Sequence, residues 1–554
     1  MKKKHLLFAL LGVLSISLTS CDFIYRFFDD SDNGFSWGIP IGQNSSSKQP
    51  IIDVSTPPAG DTNANRASYN YGHFVENSVY PISCTPSTGT AKLLIIPVWF
   101  TDSQNFIIES KKESVRSDIE TAYFGSNEAT GWRSVKTFYE EESLGTLTLT
   151  GTVSAWYECN KSYTYYGSDP AVGDSGAPKT SSLVESATNW YFNNHTSEKR
   201  KDYDCDGDGY LDGVMLIYAA PDFDTLARNN YDNLWAYCFW IQDYDVKNPS
   251  NPGVNAYFWA SYDFMYGTQV AYSRTGKTYH AGDTSHCTID THTYIHEMGH
   301  MFGLDDYYDY SSYSYLPAGA FSMQDHNVGG HDPFSSFALG WGKAYVPIES
   351  TVIDLKPFAT DGEMIILSPS WNSYNSPFDE YLILEYFVDS GLNELDTHYR
   401  YMSEYGKVYP TGSQDYGIRL WHVDARLLYT TTGEFSASKV TTNPIYPAGG
   451  VALMMSNTYY DGTEYSEAYG SELGKNYANY NVLQLIRNNT SATYKPTDMF
   501  SSSSLFKAGD TFSMSKYQRQ FVNAGQLNSK KELGFTFEIN ACNSTYASIS
   551  ITKL

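Results

Sequence analysis

Positive charge is scarce in this sequence. Its 554 residues include 37 lysines and arginines against 62 aspartates and glutamates, which gives a formal net charge of −25. A field of that sign repels nucleic acids and anionic lipid headgroups, and it attracts cations such as calcium. We therefore exclude a nucleic-acid-binding protein.

Beyond its N-terminus, the sequence lacks an apolar run long enough to span a bilayer. The N-terminus has the layout of a secretory signal, with three lysines, an apolar run from Leu6 to about Leu18, and small residues before Cys21. Its ending, LTSC, resembles the bacterial lipobox, in which the cysteine is lipidated and becomes the new N-terminus. We expect residues 1–21 to be a lipoprotein signal peptide and Cys21 to anchor the protein to the extracellular face of a bacterial membrane. An ordinary cleaved signal with an incidental cysteine is the alternative.

Cysteines are also few, at seven. If Cys21 carries lipid, an even number remains, and outside the cell these permit up to three disulfides. About 15 pairings are open, and the sequence neither chooses among them nor excludes free thiols. The remaining cysteines are Cys84, Cys159, Cys205, Cys238, Cys287 and Cys542.

The length predicts two or three domains, and the composition changes along the chain. Residues 22–88 are rich in Ser, Pro, Asn and Gly without a clear period, which indicates a flexible tether or a pro-segment. Residues 89–345 alternate buried strands with helices, which is typical of an α/β domain. Residues 346–554 contain short strands separated by turn-rich segments and are predicted to form an all-β, sandwich-like accessory domain.

Individual elements of the α/β domain can also be predicted. AKLLIIPVWF, which begins at Ala91, has the length and the continuous apolar character of a buried strand. Ile108, Val115, Ile119 and Tyr123 recur at helical spacings, which indicates one helix face. A second helix is expected within residues 132–145.

The most informative stretch is THTYIHEMGHMFGLDD, residues 291–306. Positions i and i+4 of a helix share one face, so His296 and His300 can bind one zinc ion through their imidazole nitrogens. Glu297 is displaced around the helix and is placed to deprotonate a metal-activated water, which is the reason for the H-E-x-x-H spacing. The alternative is an amphipathic helix whose histidines are merely hydrogen-bonded.

A catalytic zinc site needs a third protein ligand. Gly303 can end the helix in a left-handed turn, after which Asp306 would bring a carboxylate to the metal. Asp305 would point elsewhere in an extended segment, and Asp309 is a reserve candidate. We expect Asp306 to be the ligand.

Downstream residues extend this prediction. Met323 could form a methionine turn beneath the metal, although an isolated methionine is usually plain core. His326 and His331 are candidates for stabilising the oxyanion of the tetrahedral intermediate, or they are structural. Asp332 followed by Pro333 is a helix start, with aspartate as the N-cap.

A second cluster of acidic residues lies in DYDCDGDGYLDG, residues 202–213. Carboxylates at every second position of a tight loop converge on a hard cation, so Asp204, Asp206, Asp208 and Asp212 are candidate calcium ligands. The loop is not an EF-hand, because Met215 replaces the glutamate expected at position twelve. A structural calcium site is predicted, and a solvated acidic turn is the alternative.

HEMGHMFGLDD, the D-x-D-x-D-G loop, IIPVWFTD, SVKTFYEEESLGTLTLTG and MQDHNVGGHDPFSSFALGW together resemble the immune inhibitor A family of secreted bacterial metallopeptidases. The resemblance covers about residues 90–345. It implies a zincin fold, with a twisted mixed sheet and an active-site helix, zinc at His296 and His300, and Glu297 as the general base. Asp306 stands at the position of the family's aspartate after the glycine.

The expected function is that of a surface-anchored zinc endopeptidase acting on proteins or peptides. Two alternatives stay open. A calcium-stabilised adhesin or glycan-binding lipoprotein would have an inactive zincin scaffold, although such a scaffold usually loses the glutamate first. A zinc hydrolase of cell-wall peptides would use the same site on a different substrate.

Overall fold

The structure is a computed structural model. It describes residues 64–67, 85–168, 179–222, 233–241, 248–277, 287–304, 306–308, 316–369, 380–399, 409, 411–424, 429–430, 451–452, 481–494 and 496–554. The predicted signal peptide with Cys21, most of the predicted tether, Cys84, Asp305 and Asp309 lie outside these residues. Among the described residues, no helix is both long and apolar enough to cross a membrane.

Most of the described secondary structure falls into three sheets and the helices beside them. The strands are β1 (Ala64–Ala67), β2 (Gly89–Trp99), β3 (Leu147–Val153), β4 (Tyr157–Glu158), β5 (Val214–Tyr218), β6 (Tyr237–Trp240), β7 (Ala256–Ser261), β8 (Lys343–Pro347), β9 (Thr351–Leu355), β10 (Glu363–Leu367), β11 (Glu380–Phe387), β12 (Gly417–Asp424), β13 (Tyr429–Thr430), β14 (Val451–Ala452), β15 (Leu483–Ile486), β16 (Thr511–Phe512), β17 (Phe535–Cys542) and β18 (Ala547–Lys553). The α-helices are α1 (Lys112–Phe124), α2 (Asn127–Thr130), α3 (Val135–Glu142), α4 (Tyr163–Gly167), α5 (Lys179–Asn194), α6 (Thr268–Thr275), α7 (His292–Met301), α8 (Pro333–Ala338), α9 (Phe358–Asp361) and α10 (Glu394–His398).

The first sheet has the strand order β3-β2-β5-β7-β6, with β4 also paired to β2. Strand β2 is parallel to β3, β4 and β5, and β5 is parallel to β7. Strand β6 is antiparallel to β7 and forms one edge of the sheet. The central strand β5 is buried along its whole length, as expected where a parallel strand is covered on both faces.

Local capping sets the limits of the helices beside this sheet. Helix α3 begins after Ser134, whose side chain accepts the Thr137 backbone N–H while the Thr137 side chain accepts the Ser134 N–H. It is therefore shorter than the predicted segment 132–145. The predicted face that included Ile108 was wrong at its start, because Ile108 has extended backbone angles and α1 begins at Lys112.

Helix α7 carries the H-E-x-x-H motif and packs against the edge strand β6, its neighbour β7 and helix α3. The Tyr139 hydroxyl on α3 donates a hydrogen bond of 2.6 Å to the carbonyl of Ile295. The helix ends at Met301, and Gly303 follows with a φ of 95°. This left-handed turn, predicted from the glycine, redirects the chain toward Asp306.

The second and third sheets form layers beyond the first. Their strand orders are β1-β8-β10-β11-β12-β15 and β16-β17-β18-β9. Side chains along β11 alternate between two cores, with Tyr381 and Ile383 in the core shared with the first sheet. Leu382 and Leu384 belong to the core enclosed between the second and third sheets. The second sheet is therefore covered on both faces.

This arrangement crosses the predicted domain limits. Strand β8 belongs to the second sheet, although most of it was assigned to the α/β domain, and residues 64–67 of the predicted tether pair with it as β1. The short helices α9 and α10 also lie within the region predicted to be all β. The five described cysteines, Cys159, Cys205, Cys238, Cys287 and Cys542, are free thiols.

Candidate metal centre

Two histidines of α7 point one nitrogen each toward a common point. His296 Nδ1 lies 2.7 Å from the Met323 carbonyl oxygen, and His300 Nδ1 lies 2.8 Å from that of Leu304. A carbonyl oxygen only accepts hydrogen bonds, so each Nδ1 carries the hydrogen and each Nε2 keeps its lone pair. This is the orientation in which imidazole binds a metal.

The Asp306 carboxylate lies where the two lone pairs meet. Its Oδ1 is 3.1 Å from His296 Nε2 and 3.6 Å from His300 Nε2. The three ligand atoms lie within 4.8 Å of one another, and all three residues are buried. Two imidazoles and one carboxylate form a donor set that catalytic zinc accepts. The alternative of merely hydrogen-bonded histidines accounts for the Nδ1 atoms but not for this convergence.

The electrostatics of the site favour a positive charge there. Burial acts to lower the pKa of His296, but Asp306, Glu297 and the Met323 carbonyl together raise it to about 9. A divalent cation bound there would be stabilised by the same negative charges of Asp306 and Glu297. Burial lowers the pKa of His300, which favours the neutral imidazole that binds a metal.

Glu297 lies between α7 and the edge strand β6. Its side chain is fully buried, and its backbone carbonyl accepts a hydrogen bond of 3.1 Å from the Cys238 thiol. The same sulfur is 3.9 Å from Glu297 Oε2. Glu297 directly follows His296 on the helix, so its side chain is turned away from the shared face of the two histidines. It lies beside β6, the edge strand of the sheet.

The two candidate oxyanion histidines differ in their surroundings. His331 is only 2% exposed, and burial lowers its pKa to about 3, with the charges of His296 and His300 acting in the same direction. It is enclosed by the rings of Phe138, Tyr139 and Trp341, so it does not face substrate.

His326 is the more accessible of the two, with 23% of its side chain exposed. Its Nδ1 lies 2.6 Å from Asp325 Oδ1, and its ring centroid is 4.7 Å from that of Tyr308. The Tyr308 hydroxyl donates to Asp306 Oδ2 at 3.1 Å, which places His326 close to the candidate metal centre.

Two residues that support the candidate ligands, Met323 and Gln324, belong to no sequence motif that would predict this role. Met323 contributes its backbone carbonyl to His296, while its side chain is buried. Gln324 fills the space beside Gly299, where an added Cβ would come within 2.2 Å of Gln324 Oε1. The glycine inside H-E-M-G-H is the one sequence signal for this contact.

The acidic loop brings together three of its four predicted ligands. Oxygens of Asp204, Asp206 and Asp208 lie within 4.8 Å of one another. Asp212 does not join them, because its two carboxylate oxygens accept the backbone N–H groups of Lys92, at 2.7 Å, and Cys205, at 2.8 Å. The prediction of Asp212 as a ligand is therefore corrected: one of its oxygens holds the loop to β2 at Lys92, and the other closes the loop on Cys205.

The charge balance of this loop is unfavourable without a cation. Burial, and next the charges of Asp208 and Asp206, raise the pKa of Asp204 to about 6. Its Oδ1 is buried and forms no hydrogen bond within the described residues.

Comparison with known proteins agrees with this geometry. Residues 84–324 match the model of the immune inhibitor A peptidase M6 catalytic domain. This part of the chain is therefore similar to the catalytic domain of that peptidase family. The family implies a catalytic metal, and the matched residues include His296, His300 and Asp306.

Part of the chain is also similar to a named metalloprotease. It is 25% identical over 230 residues to the pre-pro-metalloprotease PrtV of Vibrio cholerae serotype O1, in strains M66-2 and ATCC 39315 / El Tor Inaba N16961. The similarity covers 37% of this chain and 23% of PrtV, so the chain spans less than a quarter of the relative that it matches.

Proposed function

We propose that this protein is a zinc-dependent endopeptidase. The observation that carries the proposal is the convergence of His296 Nε2, His300 Nε2 and Asp306 Oδ1, with each Nδ1 held by a carbonyl. Three protein ligands leave a fourth position open for chemistry. Zinc, when bound, would polarise the scissile carbonyl and activate a water molecule.

The remaining steps fall to side chains of the chain itself. Glu297, buried beside the two ligands, accepts the proton of the attacking water and passes it to the leaving amine. His326, oriented by Asp325 at Nδ1 and partly exposed, donates a hydrogen bond through Nε2, in its doubly protonated form, to the carbonyl oxygen as charge develops on it. His331 has no part in that step, because it is enclosed.

The test compares the unchanged protein with Glu297→Gln and His300→Ala for casein hydrolysis and bound zinc. We expect Glu297→Gln to keep its zinc and to lose about 10²–10⁴-fold in kcat, the range for general-base catalysis. His300→Ala should lose the metal as well.

Zinc bound stoichiometrically without cleavage of casein or purified wall peptides would favour the adhesin alternative. Cleavage of wall peptides alone would identify a cell-wall hydrolase. Full activity of Glu297→Gln would contradict the assignment of the base.

We infer that Asp204, Asp206 and Asp208 hold a structural calcium ion. Buried Asp204 with two further carboxylates provides the hard oxygen ligands that calcium prefers. A chelator selective for calcium should lower the unfolding temperature, and Asp206→Asn should reduce that effect. Asp202→Asn, a change in the same loop but outside the cluster, is the control. An unfolding temperature insensitive to the chelator would reject the site.

We also propose that a lipid on Cys21 holds the protein at the extracellular face of a bacterial membrane. The support is the order of charged, apolar and small residues before that cysteine. Cys21→Ser should move the protein from the membrane fraction to the soluble fraction of the producing cells. Retention of the variant in the membrane would reject the lipid anchor.

A further inference from the structure

His331, another buried histidine near the candidate metal centre, has no role in the chemistry proposed above. Its Nε2 lies 3.2 Å from Gln324 Oε1. An amide oxygen only accepts hydrogen bonds, so His331 must donate through Nε2, and its Nδ1 is the unprotonated nitrogen. The low pKa of the ring agrees with this neutral form.

Gln324 connects His331 to a metal ligand. Its Nε2 lies 3.4 Å from Nδ1 and 3.5 Å from Nε2 of His300, so the amide group packs directly against that imidazole. The residue is completely buried, and its backbone carbonyl accepts the Tyr307 N–H at 2.7 Å. The amide is thus fixed with its oxygen toward His331 and its NH₂ toward His300.

The other side of His331 faces Glu142 on α3. His331 Nδ1 is buried without a hydrogen bond among the described residues, and Glu142 Oε1 is 3.8 Å away, too far for a direct bond. A cavity of about 10 Å³ is lined by both residues, Ser336 and Trp341, which is room for about one water molecule. Burial raises the pKa of Glu142 to about 8, which favours the protonated carboxyl group, and its Oε1 accepts the Ser336 hydroxyl at 2.8 Å.

We propose that His331 is a positioning residue for the metal ligand His300, acting through Gln324 and held in its tautomer by Glu142 across the cavity. The inference rests on the proposed zinc site, because it concerns how one ligand of that site is oriented. The metal ligands His296 and His300 already have backbone acceptors at Nδ1. The chain Glu142–His331–Gln324 gives His300 a second constraint, on the plane of its ring.

The experiment measures zinc affinity by chelator competition, the visible spectrum of the cobalt-substituted protein, and the free energy of unfolding in denaturant. His331→Leu removes the donor to Gln324, whereas His331→Gln keeps an N–H near the Nε2 position. The control is His422→Leu, because His422 is equally buried but bonds to Glu380 in the second sheet, at 2.8 Å. All variants are made in the complete chain.

We expect His331→Leu to weaken zinc binding by about 10–100-fold and to change the cobalt spectrum, as loss of an outer partner of a ligand does. His331→Gln should stay close to the unchanged protein, and His422→Leu should lose stability without losing zinc affinity. If His331→Leu does not fold, His331→Asn replaces it, since its shorter amide cannot reach Gln324.

Two outcomes would overturn the proposal, and they are distinguishable. A folded His331→Leu with the zinc affinity and cobalt spectrum of the unchanged protein would reject the positioning role alone. An unchanged protein that binds no zinc would reject the zinc site and this inference with it.

Discussion

Among single residues, the glycine within the H-E-M-G-H motif shows how closely the metal centre is packed. Gly299 needs no unusual backbone angle, yet its missing side chain leaves the place that the Gln324 amide occupies. A Cβ at 2.2 Å from Gln324 Oε1 would force the amide away from both His300 and His331. We expect Gly299→Ala to destabilise the protein by roughly 1–3 kcal/mol, the usual cost of overpacking a core.

The measurement for Gly299→Ala is denaturant unfolding together with zinc affinity. Gly340→Ala is a poor control, because its φ of 85° would add backbone strain of its own. Ser186→Ala, on the exposed side of α5, is a better one. If Gly299→Ala kept both its stability and its zinc affinity, the position of the Gln324 amide would not matter for either property.

The sequence predicts the convergence of the three candidate ligands better than it predicts the groups that support them. His296, His300 and Asp306 follow from spacing, because helix geometry and one glycine turn place them together. The carbonyls of Met323 and Leu304 carry no residue-specific signal, since any residue provides a carbonyl. Asp212 was predicted to be a ligand because of its spacing in the loop. The spacing does not reveal that its carboxylate oxygens accept two backbone N–H groups.

Among secondary-structure elements, the short helix α8 depends on its first residue. Asp332 accepts the Ser335 backbone N–H at 2.9 Å, and its other oxygen accepts the hydroxyls of Ser322, at 2.8 Å, and Ser335, at 2.7 Å. We expect Asp332→Ala to cost about 0.5–2 kcal/mol for the lost cap. The buried Ser322 hydroxyl, left without its acceptor, should add to that cost, whereas the Ser335 hydroxyl can donate to the Tyr307 hydroxyl at 3.3 Å.

Thermal or denaturant unfolding measures the effect, with Asp332→Asn as the matched variant. Asparagine can still accept the Ser335 N–H through its one carbonyl oxygen, but its NH₂ group cannot accept from the hydroxyls. Its stability should therefore lie between those of Asp332→Ala and the unchanged protein. Equal stability of all three would show that neither the cap nor the hydroxyl bonds contribute.

Two strands beside the candidate site were not predicted from the sequence. Strands β6 and β7 flank α7, but both are short, and β7 is buried on both faces, so it shows no alternation of polar and apolar residues. Strand β2 was predicted because its apolar residues form a long continuous run, which is typical of a buried strand. Short aromatic strands acquire their structure from the helix and strands that pack on them.

At the scale of the whole molecule, helix α10 contacts the loop that carries Met323 and Asn327, beside the candidate metal centre. Asn327 Nδ2 donates to Asp396 Oδ2 at 3.1 Å, and both residues are buried. Burial raises the pKa of Asp396 from 3.8 to about 7. Because the folded state holds this proton more tightly, the stability from Asp396 is full below about pH 4 and is lost as the pH rises through 7.

We therefore expect the unfolding temperature to fall between pH 5 and pH 8, and to fall less in Asp396→Asn, which does not titrate. Calorimetry at several pH values measures this, with calcium and zinc held constant. Glu142 contributes with the same sign, since its folded-state pKa is also raised. Parallel pH profiles for the variant and the unchanged protein would show that Asp396 does not titrate in this range.

The segment that matches the family model is shorter than the segment that forms the first hydrophobic core. The match ends at residue 324, but the first hydrophobic core continues through Trp341, Ile383 and Trp421 into the second sheet. A gene fragment cut at the end of the match would expose one apolar wall of that core to water. For recombination, whether natural or in the laboratory, the unit that can be transplanted is thus the matched segment together with the second sheet.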